Sequence, residues 1–128
     1  MKRLEIFGIA IVIIGLAGTI VGSFAWESFL ESQRECITIH MRTFENGNPT
    51  PNVIHLKKNV PACLRLTSDD TTHGFNIPDF NITADPIHPG KWTYLRFTPK
   101  ESGTFSFVCN IVCSAGHSRV RGQIIVDD

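Results

Sequence analysis

The feature that most constrains this chain is a run of 21 residues without a single charge, from Ile6 to Trp26. About 20 residues of helix cross the hydrocarbon core of a bilayer, so the run has the length of one transmembrane span. Lys2 and Arg3 precede it, and Glu27 and Glu31 follow it. By the positive-inside tendency the N-terminus stays in the cytoplasm and everything after Trp26 is exported. Trp26 falls where an interfacial aromatic belongs. Glycines 8, 15, 18 and 22 lie within about 80° of one another at helical spacing. Gly18 and Gly22 form a small-xxx-small pair that would let another helix approach closely. A cleaved signal peptide is the competing reading, because the basic start is short and Ser23-Phe24-Ala25 offers a small-x-small cleavage pattern. In both readings residues 27–128 face an extracytoplasmic compartment. Residues 1–35 are read as anchor and connector, and residues 36–128 as the exported domain.

From Cys36 onward the texture is β, with short runs rich in Ile, Val, Thr and Phe separated by turn residues. Strands are predicted near Cys36–Thr43, Val53–Leu56, Ala62–Thr67, Asn81–Asp85, Trp92–Phe97, Thr104–Val108 and Arg121–Val126. Seven short strands at this spacing argue for a mainly β sandwich or barrel. In Thr104-Phe105-Ser106-Phe107 the alternation puts Phe105 and Phe107 inward. A chain of 128 residues has room for one domain with a core. Its 12 basic residues balance 12 acidic ones, which argues against a nucleic-acid partner. Hydrophobic residues make up 42% and nine Phe are present, which excludes intrinsic disorder.

The chemistry lies in Cys109-Asn110-Ile111-Val112-Cys113-Ser114-Ala115-Gly116-His117. Two thiols four apart and an imidazole four further on occupy one loop between two strands, and a tight loop can turn all three toward one point. Thiolate with imidazole is a soft donor set that selects copper, with zinc second. His73, in Asp69-Asp70-Thr71-Thr72-His73-Gly74-Phe75, is the candidate fourth ligand from elsewhere in the fold. Cys109 and Cys113 bridged as a disulfide is the alternative, provided the loop brings their Cα atoms within about 7 Å. Asp69 and Asp70 are candidates to hold the His73 loop by hydrogen bonds, or else belong to a solvated turn. Phe75, Ile77, Val112 and Ala115 are candidates to keep water from the site, to pack the core or to dock a redox partner. No nucleophile–base pair for a hydrolase can be named.

On these residues, positions 60–126 resemble the cupredoxin domain of subunit II of the haem-copper oxidases, which carries the dinuclear CuA centre. The family pattern is Cys-x-x-x-Cys-x-x-x-His-x-x-Met after a distant His. Val60-Pro61, His73-Gly74-Phe75, Pro89-Gly90, Phe105 to Cys109 and Gly122 to Val126 follow it in order and spacing. A single preceding span resembles the single-span form of that subunit. The resemblance implies a cupredoxin-like Greek-key β-sandwich behind one N-terminal transmembrane helix. It implies Cys109 and Cys113 as bridging thiolates between two coppers, His73 and His117 as caps, and the Ile111 carbonyl as a weak axial ligand. The partners it implies are a haem-bearing subunit, met through the transmembrane helix, and a soluble donor such as a cytochrome c or small copper protein. The chain departs from the pattern at Val120, where the family has an axial Met, and Met41 in the first strand is no substitute. Ile111 stands where the family often has a carboxylate or amide, and the aromatic-rich segment for electron uptake is not recognisable.

Cys36 and Cys63 fall on predicted strands one and three, which are neighbours in a cupredoxin. A structural disulfide in an oxidising compartment and two unpaired thiols both stay open. His40, His55 and His88 read as surface or edge residues. The functional expectation is a membrane-anchored copper electron carrier that takes electrons from a soluble donor and passes them to a haem subunit. A mononuclear cupredoxin and a copper assembly or delivery protein are the alternatives.

Overall fold

The computed structural model describes residues 2–32 and 35–128, which fall in two compact units, a helix and a β domain. Helix α1 covers Arg3–Ser32. Within it Glu5–Glu27 is long and apolar enough to cross a membrane, and none of that window is buried. Its 23 residues extend about 35 Å, enough for the hydrocarbon core with some tilt. The two hydroxyls in the run donate to carbonyls one turn back, Thr19 Oγ1 to Leu16 O at 2.8 Å and Ser23 Oγ to Ile20 O at 2.9 Å. Such internal satisfaction is what lipid demands of a polar group.

The β domain has eight strands in two sheets. β1 (Ile37–Met41), β3 (Ala62–Ser68) and β6 (Thr93–Phe97) form the smaller sheet in the order β1-β3-β6. The larger contains β2 (Val53–Lys57), β4 (Asn76–Ile77), β5 (Ile82–Thr83), β7 (Gly103–Val108) and β8 (Arg121–Asp127), ordered β2-β8-β7-β4-β5. β1 pairs parallel with β3, and β2 with β8. A parallel pair needs a crossover; between β1 and β3 the chain passes through β2 in the opposite sheet, and between β2 and β8 it leaves for β3 and β6 of the smaller sheet. The expected sandwich is therefore present, with two departures from the predicted strands. Asn76–Ile77 was not foreseen as a strand. The stretch predicted over Asn81–Asp85 shrinks to Ile82–Thr83, because Pro78–Phe80 winds into a 3-10 turn that Asn81 closes at φ 53°.

The core follows the strand alternation. Ile39, Met41, Leu64 and Leu66 of the smaller sheet meet Ile54, Leu56, Phe107, Ile124 and Val126 of the larger, all buried. Phe105 is only half-buried, packed against the core from the rim. Phe75 and Phe107 stack with centroids 4.7 Å apart and planes 24° from parallel. Phe75 lies two residues after His73, and Phe107 two before Cys109, so one aromatic contact pins both stretches that the sequence marks out. Such pairs add about 0.5–1.5 kcal/mol beyond area burial. Cys36 and Cys63 are joined as a disulfide across a sequence separation of 27, which by chain entropy is worth about 3–4 kcal/mol.

Candidate metal centre

His73 is carried past the end of β3 by the Asp69–Thr72 turn and is held by a two-way backbone bridge with Ile87, at 3.0 and 2.9 Å. Its side chain is 0% exposed. Cys109 follows the last residue of β7, and its N–H donates to the Val120 carbonyl at 3.0 Å. That bond closes the base of the loop that carries Cys113 and His117. A Cβ on Gly74 would lie 1.9 Å from Asn110 Oδ1 and 3.0 Å from Asn110 N, so a side chain there would displace the Asn110 side chain and crowd its backbone. The close approach lets Gly74 N–H reach the Cys109 sulfur at 3.4 Å.

The donor atoms form a row. His73 Nδ1 lies 3.9 Å from Cys109 Sγ, Cys109 Sγ lies 3.7 Å from Cys113 Sγ, and Cys113 Sγ lies 3.9 Å from His117 Nδ1. The ligand atoms of His73, Cys109 and Cys113 all fall within 4.8 Å of one another. His117 joins the group on the Cys113 side. Both sulfurs are free thiols, which disposes of the Cys109–Cys113 bridge. Ile111 presents its carbonyl oxygen to Cys109 Sγ at 3.1 Å. Metal–nitrogen bonds of about 2.0 Å and metal–sulfur bonds of about 2.3 Å, as in zinc sites, span more than 3.9 Å when opened wide. The spacings therefore suit ions seated between adjacent donors, and the buried thiol–imidazole chemistry fits a soft ion.

Asp70 orients the first imidazole. Its Oδ1 accepts from His73 Nε2 at 2.6 Å, which leaves Nδ1 to face the sulfurs. The same carboxylate accepts from Thr71 N–H at 2.7 Å, Thr43 N–H at 2.8 Å and Asn46 Nδ2 at 2.9 Å. Burial opposes its charge, yet these donors together hold the carboxyl well below the usual range. Asp69 turns the other way, to His40 Nδ1 at 2.8 Å and Arg42 Nε at 2.7 Å. Of the two aspartates, then, Asp70 holds the His73 loop.

The thiols divide their roles. Burial would raise Cys109, but the His73 imidazole, the Gly74 N–H and the Ile111 backbone outweigh it and bring the thiol down to about 6. Cys113 is pushed up to about 11, by burial and then by its neighbour Cys109. Burial lowers His73, yet Cys109 and Asp70 carry it above its ordinary value. Without metal the first thiol ionises readily, and the second resists placing a like charge beside it.

Phe75 and Ile77 are buried as expected. Val112 and Ala115 are not part of that shield: Val112 is 84% exposed and Ala115 also faces solvent. A loop turning its sulfurs inward must turn its intervening side chains out. Val120 is buried and offers no donor atom, while Met41 sits deep in the core. His40 is part-exposed, His55 is exposed, and His88 accompanies Thr72 at the surface at 3.0 Å.

A turn is legible from Glu45 onward in the sequence, but not that Phe44–Asn46 reaches both candidate ligand stretches. Its only sequence signal is a polar Glu-Asn-Gly string, which reads as an ordinary turn.

The chain is 31% identical over 91 residues to a cytochrome c oxidase subunit 2 of Thermus thermophilus, a match that covers 71% of this chain and 66% of the relative. It is 35% identical over 83 residues to an alternative cytochrome c oxidase subunit 2 of Bradyrhizobium diazoefficiens, covering 65% of this chain and 28% of that one. The chain thus spans just under two thirds of the first relative and about a quarter of the second. A chain of a heme-copper terminal oxidase dimer solved by cryo-EM shares the fold at a TM-score of 0.61 and 20% identity, over 98% of this chain and 100% of its own. The cupredoxin-like domain family matches residues 12–126, and the chain belongs to that family.

Proposed function

We propose that this protein is a membrane-anchored copper electron carrier, the CuA-bearing subunit II of a haem-copper oxidase. The observation that carries the reading is the order of donors in the row, imidazole, thiol, thiol, imidazole, at 3.9, 3.7 and 3.9 Å. Two central sulfurs flanked by one imidazole each would hold copper through Cys109, Cys113, His73 and His117, with the Ile111 carbonyl as a weaker donor. When bound, a copper pair supplies a one-electron couple spread over both ions, so that little geometry changes on reduction. This chain's residues supply the rigid frame. The Phe75–Phe107 stack and the Asp70 bond to His73 fix one imidazole, and the Cys109–Val120 backbone bond closes the ligand loop.

The exposed Val112 and Ala115 beside the ligands suit contact with a soluble electron donor. α1 anchors the chain with its N-terminus in the cytoplasm and the β domain on the outer side. The glycine stripe of α1 faces a helix of the haem-bearing subunit, and the complex delivers its electrons there.

Metal analysis with electron paramagnetic resonance on the full chain in detergent tests this reading. The expected result is a purple protein with two coppers per chain and an unpaired electron coupled to both. Cys113→Ser is expected to abolish that signal. One copper with a blue spectrum, or cuprous binding without reversible redox, would overturn the assignment.

A further inference from the structure

The two ligand stretches come from different parts of the fold, and one short turn touches both. The turn is Phe44–Asn46, closed by Gly47 at φ 98°. On one side Thr43 N–H and Asn46 Nδ2 hold Asp70, at 2.8 and 2.9 Å, and through it His73. On the other side the turn lies against the loop that ends in His117. Phe44 receives the Arg119 guanidinium over its ring at 3.8 Å. The Glu45 carboxylate lies against this loop, and its own backbone N–H, the Ser114 hydroxyl and the Gly116 N–H beside it hold it below the usual carboxylate range. Gly116 N–H donates to Ser114 Oγ at 3.1 Å, so the Glu45 carboxylate faces a corner of the loop that is closed on itself. The contact is tight: a Cβ on Gly116 would sit 2.6 Å from Glu45 Oε1 and 3.0 Å from Phe44 Cβ.

We propose that Glu45 is a positioning residue for His117, a strut by which the Phe44–Asn46 turn holds the Cys/His loop in register with the His73 stretch. The proposal rests on the reading of these four residues as a metal centre, but it has a consequence in the metal-free chain as well. Ser114 and Gly116 lie between Cys113 and His117, so a carboxylate packed against this corner constrains the path of the backbone joining these ligands. Two ligands on one loop keep their separation only if that path is fixed. Outer partners of metal ligands are worth about 10–100-fold in metal affinity. The action is one of reach: an acceptor oxygen at the position of Oε1 suffices, and the charge is secondary.

Three variants in the full chain test this. Glu45→Gln keeps an acceptor oxygen at the same reach and loses the charge. Glu45→Asp keeps the charge and withdraws the oxygen by one methylene, and Glu45→Ala removes both. In the metal-free chain the Gly116 amide is expected to be protected from hydrogen exchange in the parent and in Glu45→Gln, and to lose at least about tenfold of that protection in the other two. In the copper-loaded chain, Glu45→Asp and Glu45→Ala should release copper to a chelator about tenfold faster and change the copper hyperfine pattern, with Glu45→Gln near the parent. Should Glu45→Asp behave as the parent and Glu45→Gln as the alanine variant, the strut is wrong and charge alone acts. Parental exchange in all three overturns the proposal outright. A parent that takes up no copper would instead sink the metal-centre reading, and the exchange data would still judge the strut.

Discussion

Replacing Asp70 by alanine removes an acceptor shared by five donors from two stretches of the chain, Thr43 and Asn46 on one side and Ser68, Thr71 and His73 on the other. Two of them, Thr43 N–H at 2.8 Å and His73 Nε2 at 2.6 Å, belong to buried residues. Leaving a buried donor unpaired costs about 1–3 kcal/mol, so the two together cost about 2–6 kcal/mol. The exposed Asn46 amide can turn to solvent and adds little. For a domain of this size each kcal/mol lowers the melting temperature by about 4–8 °C, so a fall of at least about 8 °C is expected. The imidazole also loses the bond that aims its Nδ1 at the sulfurs, and metal affinity should drop about 10–100-fold. The assay is thermal unfolding of the metal-free full chain by near-ultraviolet circular dichroism, paired with copper release from the loaded chain. Acid supplies a second readout. The folded-state value of Asp70 lies below its unfolded one, so its contribution is present above about pH 4 and is lost as pH falls through the lower folded value. Asp70→Asn should flatten that acid limb while melting above the alanine variant. An alanine variant that melts within about 2 °C of the parent and releases copper at the parental rate would refute the account of His73 orientation.

Two further outcomes follow from the site. In the metal-free chain, ultraviolet thiolate absorbance should rise in two separate steps, near pH 6 for Cys109 and near pH 11 for Cys113; in Cys109→Ser the like charge is gone and the Cys113 step should move down toward its ordinary value. Val120→Met returns a thioether to the position the family pattern gives its axial ligand, and the reduction potential of the copper-loaded chain should shift on voltammetry; no shift would mean that position 120 does not overlie a copper.

The strands were legible where alternation and flanking turns agreed, as in Thr104–Val108, and illegible where two-residue strands depend wholly on neighbours. Asn76–Ile77 has no period of its own and exists because β7 and β5 flank it. Within the candidate site, the Cys/Cys/His loop announces itself because its soft donors are local. The roles of the two adjacent aspartates could not be told apart, since one residue of displacement along the turn sends Asp69 to Arg42 and Asp70 to His73. Val112 and Ala115 read as shielding from hydrophobicity alone, whereas the direction of the loop decides that they face out.

The sequence by itself determined the span, the β character of the rest and the identity of the soft donors, because those properties reside in runs and spacings of side chains along the chain. Tertiary structure alone decided that Cys36 meets Cys63, that Cys109 and Cys113 stay unjoined, and that Glu45 reaches Gly116. Each is a matter of which distant backbones are brought within a few ångströms, and that is set by the crossing of strands between two sheets.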